Sequence, residues 1–184
     1  MIEKRQVIVV GAGPVGFLTA LGLARQGVEV TVLDTEDAVV RSPRAAVYYH
    51  TTLSILRKLG LSEEAHAIGF ASTLFKMHWP ETGETMESDM RDALDPGQEF
   101  DHNLPFGQHL LAELVMEHLA RIPGTEVRWN HAVKALAQSG GKVRLAVDTD
   151  DGEVWFEADW VIGTDGARST VRKLLGLEFE GFTW

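Results

Sequence analysis

The chain has 184 residues, 45% of them hydrophobic, enough for one sizeable core and at the border between one domain and two. Its 27 acidic against 17 basic residues leave a formal net charge of −10, which disfavours a nucleic-acid surface or an anionic membrane patch and favours small-molecule partners. Cysteine is absent, which excludes a disulfide framework, a thiolate metal site and a cysteine nucleophile, and fits a cytoplasmic location.

Residues 7–34, VIVVGAGPVGFLTALGLARQGVEVTVLD, read as strand, glycine turn, helix, strand and terminal acid. Gly11, Gly13 and Gly16 follow the apolar run Val7 to Val10 at the spacing that brings backbone N–H groups to a pyrophosphate at a helix N-terminus. Pro14 and Val15 complete the turn, and Ala20 and Ala24 let the helix pack closely on a sheet. Asp34, with Thr35 after it, closes the second strand eighteen residues past Gly16, where a carboxylate accepts from ribose hydroxyls and repels a 2′-phosphate. FAD or NAD is the ligand this unit calls for. The glycines and Pro14 would break the h-region of a secretory signal, and no other segment reads as transmembrane.

Further along, Arg44 to Leu59 has helical periodicity through Leu53, Leu56 and Leu59 and stops at Gly60, and a short helix is predicted over Ser62 to Ile68. Residues 72–90 predict an antiparallel hairpin about Glu81-Thr82-Gly83, leaving the main sheet. The acidic stretch from Arg91 to Asn103 reads as a surface loop or flap. A helix follows from Gln108 to Arg121, then a short strand from Glu126 to Trp129. Lys142 to Val147 and Val154 to Ala158 form a hairpin about Asp150-Asp151-Gly152, and Trp160 to Gly163 a buried strand. That strand runs into Asp165-Gly166 and a short helix from Val171, with Ser169 as its cap.

The GAGPVG turn with Asp34, SPRAA around Arg44, FGQHLLAELVMEHL from near Gln108, and ADWVIGTDGARSTVRKLLG together resemble one family. It is that of the flavoprotein aromatic hydroxylases of the p-hydroxybenzoate hydroxylase type, the group A FAD-dependent monooxygenases. The resemblance implies an α/β, Rossmann-like FAD-binding fold with a parallel sheet, an antiparallel β-hairpin crossover and a small β excursion from a truncated substrate domain. It divides the chain into a discontinuous FAD-binding domain, 1–70 and 106–178, an excursion at 71–105, and the start of a substrate domain at 179–184.

By the same resemblance, Arg44 approaches the FAD pyrophosphate and Gln108 the pyrophosphate and ribityl chain. Asp165, with Gly166, contacts the ribityl chain and the passing NAD(P)H, and Arg172 closes that motif. The residues alone leave other readings open: Gln108 as a helix cap, Asp165 as a turn former, Tyr48, Tyr49 and His50 as a packed aromatic turn. The seven histidines show no metal-ligand spacing, and no catalytic side chain is assigned.

The implied reaction is hydroxylation of a small phenolic or related aromatic substrate with NAD(P)H and O2 through a C4a-hydroperoxyflavin. The sequence closes at Glu180 to Trp184, where relatives continue into their substrate sheet and a later Gly-Asp motif that holds the flavin ring end. This predicts an N-terminal portion that binds FAD weakly and hydroxylates little by itself, with self-association or a completing chain. A non-catalytic FAD- or ADP-binding module and an NAD-dependent dehydrogenase are the alternatives.

Overall fold

The computed structural model describes residues 2–42, 45–95 and 97–181. The chain divides into two compact units, Met1–Arg41 with Val115–Trp184, and Ser42–Leu114.

The first unit is built on a six-stranded sheet. Strand β1 (Ile2–Val10) is followed by helix α1 (Pro14–Ala24) and by β2 (Val30–Leu33), which pairs parallel to β1 with Val7 opposite Val30. Both strands lie inside the sheet, and their buried stretches Val7–Val10 and Val30–Leu33 are apolar but for Thr31, as in strands covered on both faces. Gly27, at φ 80°, ends α1: its N–H reaches Ala24 O and that of Val28 reaches Leu23 O, a Schellman closure.

Three further helices and four strands separate β2 from the next strand of this sheet, β7 (Thr125–Arg128), which adds parallel to β2. The chain then runs through β8 (Ala132–Ser139), β9 (Lys142–Thr149) and β10 (Gly152–Gly163), an antiparallel meander. Its last strand lies parallel to β1, giving the order β7-β2-β1-β10-β9-β8. Helix α5 (Thr170–Leu174) packs on β8. On that face the core is Ile8, Val10, Leu33, Val133, Leu145, Val147, Phe156, Ala158 and Val171. The alternate residues of β1, Val7 and Val9, belong to the face on which Phe17, Ala20, Leu21 and Ala24 of α1 are buried.

Three local expectations change here. The predicted strands Val154 to Ala158 and Trp160 to Gly163 are one twelve-residue strand, β10, because β1 offers it an unbroken parallel partner from Ile2 to Val10. Strand β8 was not read from the sequence. Its signal is Gly140-Gly141, at φ 59° and 73°, a two-residue hairpin turn that sets Ser139 opposite Lys142. The helix read from Arg44 starts only at His50.

In the second unit, β3 (Val47–Tyr48) pairs antiparallel with β6 (Leu104–Pro105), and this pairing holds residues 45–49 outside the helix. Helices α2 (His50–Lys58) and α3 (Ser62–Ile68) follow. Gly60, at φ 58°, closes α2 with Leu61 N–H on Leu56 O. The predicted hairpin is present as β4 (Leu74–Trp79) and β5 (Glu84–Asp89), a separate two-stranded sheet. Within the acidic stretch, Met90–Ala93 form a 3-10 turn capped by Asp89. Helix α4 (Gln108–Leu119) buries Leu111, Ala112 and Leu114 in this unit, and Val115 and Leu119, at helical spacing from Leu111, are buried in the first.

Candidate functional site

In the first unit the carboxyl ends of β1, β2 and β10 converge on the glycine turn. Chain direction diverges on the two sides of β1, the kind of crevice at which open α/β sheets take ligands. The turn is clamped from both neighbours: Gly11 N–H donates to Leu33 O at 2.8 Å, and Thr164 N–H donates to Val10 O at 2.8 Å. The Thr164 hydroxyl reaches Val10 O at 2.8 Å and Gly11 O at 3.0 Å.

The three glycines have separate tasks. Gly11 holds φ 106°, and a Cβ there would lie 2.6 Å from Thr164 O. A Cβ on Gly16 would meet Gly11 O at 1.8 Å, so this glycine lets α1 start directly against the turn. Around a Cβ on Gly13 there is nothing within 4 Å. The protein itself therefore does not require glycine at position 13; an open approach to the backbone does. Pro14 stands at the start of α1, no side chain caps the helix, and its first turn holds no acidic residue, leaving N–H groups and the positive end of the helix dipole to an anion. Val15, on the same turn, is 65% exposed.

Asp34 closes one side. Its Oδ2 accepts from Ala12 N–H at 2.5 Å and its Oδ1 from Glu36 N–H at 2.9 Å. Backbone bonds from Asp34 N–H to Arg128 O and from His131 N–H to Asp34 O fix the residue to the β7–β8 junction. Two acceptor positions of the carboxylate remain, the number needed for a pair of ribose hydroxyls. Thr35 is exposed in the loop that follows.

On the other side, Asp165 faces its own helix. Its Oδ1 accepts from Ser169 Oγ at 2.5 Å, and its Oδ2 from Thr170 and Val171 N–H at 2.5 and 3.1 Å. Ser169 in turn accepts from Arg172 N–H at 3.0 Å, as an N-cap. The capping and turn-forming readings of Ser169 and Asp165 are thus what these side chains do, while the Asp165 backbone stands against Gly11. Gly166, at φ 78°, is open around its Cβ position. Arg172 Nη1 donates to Leu177 O at 2.8 Å, and its guanidinium lies 5.3 Å from the Phe179 ring centroid.

The structure brings together Gly11, Gly13, Pro14, Val15, Gly16, Asp34 and the Asp165 backbone. Thr164, which sequence reasoning passed over, is the residue that ties the turn to β10. Gln108 belongs to the second unit. There it opens α4, donating its N–H to Ala45 O at 3.1 Å and accepting from Ala45 N–H at 3.4 Å through Oε1. Arg44 lies outside the described residues. Tyr48 is buried against Phe106 with ring centroids 4.4 Å apart, whereas Tyr49 is 58% exposed. Among the described residues no helix is long and apolar enough to cross a membrane, and no three His, Cys, Asp or Glu side chains are grouped to hold a metal.

The chain is 38% identical over 185 residues to 6-hydroxy-3-succinoylpyridine 3-monooxygenase of Pseudomonas putida, covering 100% of this chain and 47% of that protein. The crystal structure of p-nitrophenol 4-monooxygenase from Pseudomonas putida superposes with a TM-score of 0.92 at 36% identity, over 100% of this chain and 46% of that one. A flavin-dependent monooxygenase crystallised with FAD and substrate gives a TM-score of 0.84 at 26% identity, over 97% of this chain and 33% of that one. The chain spans less than half the length of these relatives. Residues 4–184 match the FAD binding domain family, and the chain belongs to that family.

Proposed function

We propose that this chain is the cofactor-holding portion of a flavin-dependent monooxygenase that hydroxylates a small phenolic or related aromatic substrate with NAD(P)H and O2. The observation that carries the reading is the open space at Gly13, set between two glycines that the protein's own packing demands. A backbone bare at that one position, at the uncapped start of a helix, suits a pyrophosphate.

Gly11, Gly13, Pro14, Val15 and Gly16 would hold the pyrophosphate by backbone N–H groups and the helix dipole. Asp34, with Thr35 beside it, would accept from the adenosine ribose. Arg44 and Gln108 would meet the pyrophosphate and ribityl chain, and Asp165 and Gly166 the ribityl chain through backbone groups and the remaining acceptor position on Oδ1. Arg172 and Asp165 would meet the transient NAD(P)H. When bound, FAD supplies hydride acceptance and oxygen transfer; the protein's part is to orient it and to keep water from the reacting ring.

On this reading 1–70 with 106–178 form the FAD-binding domain, and 71–105 belong to a substrate domain completed by further sequence or by another chain. We infer a cytoplasmic enzyme from the cysteine-free composition. The test is NAD(P)H oxidation by the FAD-loaded protein with and without a panel of phenols. Stimulation by a phenol, with a hydroxylated product, supports the monooxygenase. FAD binding with oxidation indifferent to every phenol supports a non-catalytic holding module instead.

A further inference from the structure

In the second unit, His66 on α3 and His102 in the segment before β6 place their Nε2 atoms 2.9 Å apart, with ring planes at 74°. Each ring's other nitrogen is committed to oxygen. His66 Nδ1 lies 2.6 Å from the Ser62 carbonyl, and His102 Nδ1 lies 3.1 Å from Asp101 Oδ1. A carbonyl and a carboxylate only accept, so both Nδ1 atoms carry hydrogen. Two neutral rings so fixed would oppose bare Nε2 lone pairs at 2.9 Å. The contact therefore requires a cation between them.

The ring positions identify it. The centroids stand 5.2 Å apart, close to the greatest separation that a 2.9 Å nitrogen contact permits, so the two lone-pair axes lie nearly on one line. A metal ion shared by both nitrogens needs those axes to converge at a right or tetrahedral angle. A proton suits a straight line.

We propose that His66 and His102 form a one-proton clasp, an imidazolium–imidazole hydrogen bond that fastens residues 100–102 to α3. The bond to His102 holds the Asp101 carboxyl below its ordinary range. The neighbouring charges are Arg91, which acts on Asp101, Glu99, ion-paired with Arg57 of α2, and Glu63 and Glu64 on α3 itself. Phe100 stacks on His66 at 6.1 Å. One residue past His102, Asn103 exchanges backbone bonds of 2.9 and 2.8 Å with Ser72, at the root of the β4–β5 hairpin. The clasp thus sets how firmly that root is held to α3.

It closes only while the pair holds one added proton. Without it the lone pairs repel, and with a second the two N–H groups oppose each other, so the bond is lost on both the alkaline and the acid side. The direct test is the 15N–15N coupling across the Nε2–Nε2 hydrogen bond, read by NMR on the whole chain from about pH 5 to about pH 9. The coupling is expected at intermediate pH and absent at both ends, with the protection of the amides of residues 98–103, taken relative to their intrinsic exchange rate at each pH, rising about tenfold where the coupling is present. In a folded His102→Gln variant that pH-dependent rise in protection should vanish. A folded wild-type chain with no coupling at any pH, or with protection of residues 98–103 flat across the range, overturns the proposal.

Discussion

The carbonyl oxygen of Gly11 occupies the space into which a Cβ on Gly16 would project, at 1.8 Å. Neither partner can yield cheaply: Gly11 N–H is bonded to Leu33 O, and the Thr164 hydroxyl is bonded to Gly11 O. Gly16→Ala should therefore push α1 off the turn and cost about 2–3 kcal/mol in denaturant unfolding. An unfolding midpoint equal to that of wild type would mean that α1 is not seated on the turn in this way.

Asp165 gathers one hydroxyl and two backbone N–H groups at the start of α5. Replacing it with Ala leaves these donors without their acceptor, and a loss of about 1–2 kcal/mol is expected. Asp165→Asn keeps one carbonyl oxygen and should fall between Ala and wild type. Urea unfolding of the three proteins gives the order.

Burial pushes the Tyr48 hydroxyl up to about 12 from its ordinary value of 10.0, and its Oη has no hydrogen-bond partner among the described residues. The folded value exceeds the unfolded one. Its contribution to stability is therefore complete below the unfolded value and is lost as pH rises from 10.0 towards about 12. Tyr48→Phe removes both the stranded hydroxyl and this alkaline loss. Thermal melts should show about 1 kcal/mol of added stability at neutral pH and a flatter decline on the alkaline side.

Glu3 of β1 takes Arg128 of β7 at 2.9 and 3.1 Å and Arg5 at 2.5 Å, and both guanidinium groups lie over the buried Phe156 ring. The Arg128 bond, followed by the nearby charges of Arg128 and Arg5, holds the Glu3 carboxyl below its ordinary 4.5 despite partial burial. Stability from this carboxylate is present above 4.5 and lost as pH falls through the lower folded value. Stability curves of wild type and Glu3→Gln, measured by denaturant from neutral to strongly acid pH, should differ above 4.5 and converge in acid. Parallel curves over the whole range would exclude this role.

The nucleotide-binding unit was legible because its signals are local: glycines at fixed offsets, a 3.6-residue apolar repeat in α1, and short β-branched strands on either side. The Schellman end at Gly60 was readable for the same reason, being set within one helical turn. Strand β8 was not, since AVKALAQS carries a single β-branched residue, Val133, and is held as a strand by pairing with β9. The stretch before His50 was read as helical because the residues from Leu53 onward are; only β6, far along the chain, draws Val47 and Tyr48 into a strand. Thr164 was passed over because its hydroxyl acts on Val10, 154 residues away. Asp165 was recognised as special, but its three donors belong to the five residues immediately following Gly166.

The account rests on Gly13 being glycine for a ligand and not for the fold. The deciding measurement is a flavin-fluorescence titration of FAD with wild type and with Gly13→Asp, alongside thermal melts of both. Saturable binding by wild type, lost at least tenfold in a variant that melts with wild type, is the expected result. A folded Gly13→Asp protein that binds FAD as tightly as wild type would contradict the assignment of the glycine turn as the pyrophosphate site.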